Sequence, residues 1–254
     1  MSLIDQSDNT GNGVNYKLNL KKDLEYKDTI IAIIPAFNEE KNIREVIQKC
    51  KDYVHKIIVI DDGSRDNTAD IAKNMGVTTI VNEQNIGKTG SLKKGFNRGI
   101  EENAKIFVLL DADGQHNPQE IPLFLKKIEE GFDLVIGARN FDSEVMPGIR
   151  ILANSISSYL VSLICGVRIE DSQSGYRAAK REVLEKITLN SKRFQVDTEM
   201  IIKAAKCGFK IGFVSIDTIY HPEAKSKVNQ ILDPVRFVIL LVQLAFWRKK
   251  AGDK

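Results

Sequence analysis

From Thr29 onward the chain alternates between short apolar runs and longer segments in which apolar residues recur every three or four positions. "TIIAIIP" (29–35) is apolar at nearly every position and closes on Pro35, the pattern of a strand covered on both faces. Behind it, Ile43, Val46, Ile47 and Cys50 stand at i, i+3, i+4 and i+7, which predicts a helix with one face on a sheet. Asn38 is placed to cap that helix, with Glu39 and Glu40 in its first turn. The alternation then repeats. "KIIVI" (56–60) predicts a strand and the residues after "DDGSRDNT" a helix to about Met75. "VTTIV" (77–81) precedes a helix over about 88–100, and "KIFVLL" (105–110) precedes one over 118–130. Asn117, Pro118 and Glu120 give the last of these a cap, a first-turn proline and an early acid. "DLVIG" (133–137) reads as a fifth strand, and beyond it the pattern becomes more helical.

Strands alternating with helices imply an α/β fold, a mostly parallel doubly wound sheet flanked by helices. Right-handed crossovers put all the strand carboxyl ends on one side, where such sheets bind ligands. "PAFNEE", "DDGS" and "DADGQ" all fall at those ends. Residues 1–28, rich in Asn, Asp, Ser and Gly, read as a polar tail or extension. A catalytic domain is expected over 29–230 and an amphipathic C-terminal helix with a basic end over 231–254.

Composition narrows the function classes. With 254 residues and 43% hydrophobic content the chain can bury a sizeable core. The net charge is only +3 and the basic residues are interspersed with acidic ones, which argues against a nucleic-acid partner. Cys50, Cys165 and Cys207 form no CxxC pair, and no signal peptide is visible, so reduced thiols in a cytoplasmic setting are expected. His55, His116 and His221 offer no zinc spacing.

Asp111 and Asp113, two residues apart, point to the same side of an extended backbone, and Gln115 adds an amide oxygen. Two carboxylates and an amide, without nitrogen or thiolate, suit a hard ion such as Mg²⁺ or Mn²⁺ that also takes phosphate oxygens. The bland alternative is a helix cap, a role Asn117 already fills. Asp61 and Asp62 end the second strand side by side, so one of them reaches the cleft. Asp62 could accept from a nucleobase or ribose, or merely shape the turn at Gly63. Gly87-Lys88-Thr89 looks like the end of a P-loop, but Asn82 stands where a Walker A motif needs glycine.

"PAFNEE", "IDDGSRDNT", "NIGKTGSLKKG", "DADGQHNP", "IGAR" and "DSQSGYRA" occur in the order found in family-two inverting glycosyltransferases, over about residues 30–230. The set most resembles the dolichyl-phosphate mannosyltransferase and glucosyltransferase group. That resemblance implies a GT-A fold and transfer of one sugar from a GDP-mannose or UDP-glucose type donor to a polyprenyl phosphate. It places Pro35, Phe37, Glu39 and Asp62 at the donor's base and ribose, with Phe37 where the family commonly has tyrosine. It places Asp111 and Asp113 at the metal and nucleotide, Gln115 as a further metal ligand, and Arg139 near the reacting phosphates. Arg150 and Asn154 match an acceptor-phosphate contact. Ser226 and Lys227 match a late loop in which His221 replaces an arginine of the mannosyltransferases. Asp171, Gln173, Asp197 and Glu199 are candidates for contacting the sugar or supporting the loops, and Asp171 or Asp197 would be the base for a hydroxyl acceptor. Transfer to a saccharide or protein hydroxyl is the alternative, and a nucleotide-sugar-binding protein without turnover a remoter one.

A lipid acceptor requires a membrane. Val235 to Trp247 is a run of thirteen mostly apolar residues, followed by Arg248, Lys249 and Lys250. At 1.5 Å per residue it covers about 20 Å, short of the roughly 30 Å hydrocarbon core. It suits a helix lying in the interface, with 148–165 as a second candidate, and peripheral association with the cytoplasmic face of a membrane is expected. The bland alternative is a core helix with a cationic last turn.

Overall fold

Isoleucines in the first strand serve two cores at once. Ile30, Ala32 and Ile34 enter one apolar cluster and Ile31 and Ile33 the other, because successive side chains leave a strand on opposite faces. A computed structural model describes residues 29–139, 148–191, 195–217 and 232–247. Within them β1 (Ile30–Ala36), β2 (Lys56–Asp61), β3 (Thr78–Val81), β4 (Ile106–Leu109), β5 (Leu134–Arg139), β6 (Arg177–Lys180) and β7 (Ile211–Ile216) form one sheet in the order β3-β2-β1-β4-β6-β5-β7. Its pairings are parallel except those of β6, which runs antiparallel to both β4 and β5.

Helices cover both faces. On one lie α1 (Ile43–Cys50), α2 (Thr68–Asn74) and α4 (Ile121–Glu129), the last entered through a 3-10 turn at Pro118–Glu120. The other carries α3 (Gly87–Glu101), α5 (Gly148–Cys165), α6 (Arg181–Lys186), α7 (Gln195–Lys206) and α8 (Leu232–Ala245). All three cysteines are free thiols.

The chain builds outward from β1 to β3 and then returns to place β4 on the other side of β1. That reversal opens a crevice at the carboxyl ends of β1, β2 and β4. Because β6 is antiparallel, its amino end lies on the same side, and "DSQSGYRA" reaches the crevice from the opposite chain direction.

Two expectations need correction. Asn38 does not cap α1: it adopts φ 55° and its Oδ1 accepts from the Arg65 backbone N–H, while the helix begins at Ile43. Strands β6 and β7 were not anticipated. The four residues of β6, "RAAK", carry no β-branched side chain, and they become a strand because β4 and β5 leave a vacant edge on each side. By contrast Asn117 does cap, its Oδ1 accepting from the Gln119 N–H. The tail 1–28 and the basic 248–250 lie outside the described residues.

At the end of β7 the Asp217 N–H donates to Glu120 Oε1 at 2.8 Å, while Oε2 is buried with no partner among the described residues. Burial first, then the charge of Asp217, push the Glu120 carboxyl up to about 7 against the opposing pull of that N–H. The folded protein therefore holds a proton that the unfolded chain releases near its ordinary value. Stability from this group is complete below about pH 4.5 and is lost as the pH rises through about 7. Glu120→Gln is expected to leave thermal stability at pH 4.5 nearly unchanged and to raise it at pH 8 by about 1–2 kcal/mol, the full linkage value being reduced by partial exposure. Calorimetric melts of both proteins at the two pH values check this, and an equal shift at both would refute it.

Candidate active site

The turn after β2 shapes one half of the crevice. Gly63 has φ 73°, and a Cβ there would lie 2.9 Å from the Gln84 backbone, so only glycine lets the two loops close this tightly. Phe37, Asn38, Ser64, Arg65, Gln84 and Asn85 surround a cleft of about 470 Å³ between them. A half-buried aromatic ring with polar walls suits a flat, hydrogen-bonding group such as a nucleobase.

The adjacent aspartates divide their work. Both oxygens of Asp62 are held by the chain: Oδ1 accepts from the Ile86 N–H and the Asn82 amide, and Oδ2 from the Gly87 N–H at 2.8 Å. Asp62 thus pins the start of α3, where a carboxylate is favoured. Asp61 accepts from the Ser64 N–H through Oδ2, while its Oδ1 is buried with no partner among the described residues.

The sharpest charge contrast lies past β4. Lys88, in the first turn of α3, puts its ammonium 2.9 Å from Asp111 Oδ1 and 3.2 Å from Asp197 Oδ2. Asp197 in turn faces the fully buried Arg177 at 3.9 Å, and its backbone carbonyl accepts from Arg177 Nη1. Burial alone would lower the Lys88 ammonium, but Asp111 and Asp197 outweigh it and hold the charge on. Burial would likewise raise Asp111, and Lys88 with Arg177 pulls it below the usual carboxylate range. Gly175 makes room for the pair: a Cβ there would stand 2.7 Å from both Asp111 Oδ2 and the Lys88 ammonium.

Asp113 has no such partner among the described residues. Its Oδ1 accepts from the Gln115 N–H at 3.0 Å, and its carboxyl is pushed up by burial and then by the charge of Asp111, with Glu39 adding to the effect. Buried carboxylates without a cation favour whatever brings positive charge. Asp113, Gln115 and Asp111 carry oxygen donors of the chemistry that a hard divalent ion takes. Among the described residues no three His, Cys, Asp or Glu side chains are grouped so as to hold a metal ion by themselves.

His116 finds a place here. Its Nδ1 accepts from the Asp111 N–H at 3.1 Å and its ring stacks on Tyr176 with centroids 5.0 Å apart. Burial lowers its pKa below the ordinary histidine value. It acts as a neutral strut that fixes the turn carrying both aspartates.

Across the crevice Arg139, at the end of β5, is gripped by buried Asp171 through Nε at 2.7 Å and Nη2 at 3.0 Å. Asp171 also accepts from the Gln173 and Ser174 N–H groups, and these contacts with Arg139 hold it low despite burial. The loop around it is tied to α5: Ser158 accepts from the Ser172 N–H, and Gln173 donates to Ser157. One turn earlier on that helix Asn154 is 4% exposed, and neither its Oδ1 nor its Nδ2 has a partner among the described residues. Glu199 is accounted for by support, since it accepts from the Asn190 and Ser191 N–H groups and pairs with Lys203 at 2.7 Å. The Arg150 side chain, His221, Ser226 and Lys227 lie outside the described residues.

The family model for Glycosyl transferase family 2 matches residues 31–188. The UDP-N-acetylglucosamine–dolichyl-phosphate N-acetylglucosaminyltransferase of Methanococcus voltae is 32% identical over 239 residues, covering 85% of this chain and 95% of that protein. The polyprenol monophosphomannose synthase of Mycolicibacterium smegmatis is 31% identical, covering 78% of this chain and 80% of its own. Among solved structures, glucosyl-3-phosphoglycerate synthase of Mycobacterium tuberculosis, in complex with Mn²⁺, UDP and glucosyl-3-phosphoglycerate, superposes with a TM-score of 0.69 at 21% identity. The match covers 98% of this chain and 88% of that one.

Proposed function

Because the chain belongs to glycosyl transferase family 2 and is a glycosyltransferase of GT-A type fold, we propose that it transfers one sugar from a nucleotide-diphosphate donor to a polyprenyl phosphate at a membrane surface, with inversion. The observation that carries the choice of acceptor is the state of the acids. A hydroxyl acceptor needs a general base. Asp171 is held by Arg139, Asp197 faces Lys88 and Arg177, and Glu199 pairs with Lys203. A phosphomonoester is already an anion near neutral pH and needs no base. Two relatives bear names of enzymes that use dolichyl phosphate or make a polyprenol monophosphomannose, which supports the same acceptor.

In this mechanism the donor base lies against Phe37, with Pro35 and Glu39 at the same strand end. Asp62 acts by holding the Gly87 turn against the crevice. Asp113 and Gln115, with Asp111 beside them, would hold Mg²⁺ or Mn²⁺. When bound, the ion neutralises charge building on the departing nucleoside diphosphate. Arg139, oriented by Asp171, would contact the reacting phosphates, and Asn154, Arg150 and Lys227 would receive the acceptor phosphate. A phosphate oxygen forms the new bond to the anomeric carbon as the bond to the donor's diphosphate oxygen breaks on the opposite face, and the nucleoside diphosphate leaves with the electron pair.

The membrane reading rests on α5 and α8. Leu152, Ile156, Tyr159 and Leu163 form an exposed stripe on α5, and Val235, Val238, Ile239, Val242 and Phe246 form one along α8 and its end. The two helices touch, and both pack on α7, so their stripes share one surface. Leu240, Leu241 and Leu244 face the core, while Lys206 donates to the carbonyls of Ala245 and Trp247 and fixes the helix end. A plain core helix would show a polar outer face. Neither 148–167 nor 234–250 contains an acid, as suits an anionic lipid surface. Among the described residues no helix is long and apolar enough to cross a membrane.

Asp113→Ala is expected to abolish transfer even at saturating donor, measured as labelled sugar moved to polyprenyl phosphate; near-normal turnover would refute the assigned role. The double substitution Leu163→Glu, Val242→Glu is expected to weaken binding to vesicles containing anionic lipid at least about tenfold, roughly 1.4 kcal/mol, in a sedimentation assay. Unchanged vesicle binding by the folded variant would refute the membrane face.

A further inference from the structure

The two aspartates of "DADGQ" are electrostatically unequal. Asp111 has a cation supplied by the chain, with the Lys88 ammonium 2.9 Å from Oδ1 and 3.3 Å from Oδ2. Asp113 has none among the described residues. Lys88 is also anchored from behind by Asp197 at 3.2 Å, so swinging aside would leave Asp111 uncompensated. A divalent ion approaching Asp113 therefore meets a neighbouring carboxylate already neutralised and a fixed positive charge beside it.

We propose that Lys88 is a built-in counter-ion that prevents tight metal binding to the empty enzyme, so that the divalent ion binds well only together with the donor's diphosphate. This rests on the metal reading given above. The negative charge that Asp111 does not offer is brought by the diphosphate, whose oxygens complete the shell begun by Asp113 and Gln115 and give Lys88 a second anion to face. Lys88 is here a positioning residue that sets the order of binding through charge.

The test is Mn²⁺ binding to the full chain, read by electron paramagnetic resonance of free Mn²⁺, alone and with UDP or GDP. The wild type is expected to bind Mn²⁺ at least about tenfold more tightly with one of the nucleotides than without. Lys88→Met and Lys88→Gln should tighten nucleotide-free binding by about tenfold or more and shrink the nucleotide's advantage. Lys88→Arg, which keeps the charge, should retain the wild-type dependence; a merely structural lysine would make Gln and Arg behave alike. Equal affinity with and without nucleotide in the wild type overturns the proposal, whether or not the variants fold. So does a folded Lys88→Gln with unchanged nucleotide-free affinity, and both of these leave the metal reading standing. Failure of the wild type to bind Mn²⁺ with either nucleotide overturns the metal reading itself, and this inference with it.

Discussion

Four carboxylates and three fixed cations meet at the carboxyl side of the sheet, and their balance constrains the rest of the structure. Asp111, Asp171 and Asp197 are matched by Lys88, Arg139 and Arg177, and Asp113 is left over. Removing one partner of a buried ion pair costs about 3–5 kcal/mol, because the survivor is stranded away from water. The surrounding architecture follows from keeping these groups together. Asp62 pins the turn that carries Lys88, His116 braces the turn that carries Asp111 and Asp113, and an antiparallel β6 brings Arg177 in from the other direction. Gly175 is where a side chain would break the packing. Asp113, which no Lys or Arg pairs with among the described residues, is the place where a ligand's positive charge is wanted.

Helix α5 joins that centre to the surface. Its inner side presents Asn154, Ser157 and Ser158 toward the loop that holds Arg139, and its outer side presents an apolar stripe continued by α8. One element thus borders both the candidate phosphate site and the candidate lipid surface. A long-chain acceptor could keep its hydrocarbon in the bilayer while its phosphate reaches the arginine. Among the described residues no helix is long and apolar enough to cross a membrane, and the eighteen residues of α5 and fourteen of α8 both pack against α7.

Much of the fold was legible because β1, β2 and β4 are apolar on both faces, a pattern that only a covered sheet produces. The placement of motifs at strand ends followed from the same alternation. What stayed hidden depended on long-range partners. Lys88 read as a failed P-loop fragment, since nothing local reveals that Asp111 and Asp197, 23 and 109 positions away, converge on it. Asp61 and Asp62 could not be told apart until Ile86 and Gly87 were seen to occupy both oxygens of the second. Strand β6 is set by its neighbours rather than by its own propensity, and Asn38 was drawn from its expected cap by the Arg65 backbone. His116, without a motif of its own, acquires its role through a backbone bond five residues upstream.

The account stands most directly on the identity of the product. The full chain would be incubated with divalent metal, labelled nucleotide sugars and polyprenyl phosphate in vesicles, and the product isolated and its linkage determined. Label in an organic-extractable, mild-acid-labile sugar phosphate of inverted anomeric configuration, lost on chelation of the metal, is the predicted result. Label carried instead on a saccharide or protein hydroxyl, with none on the lipid phosphate, would contradict it.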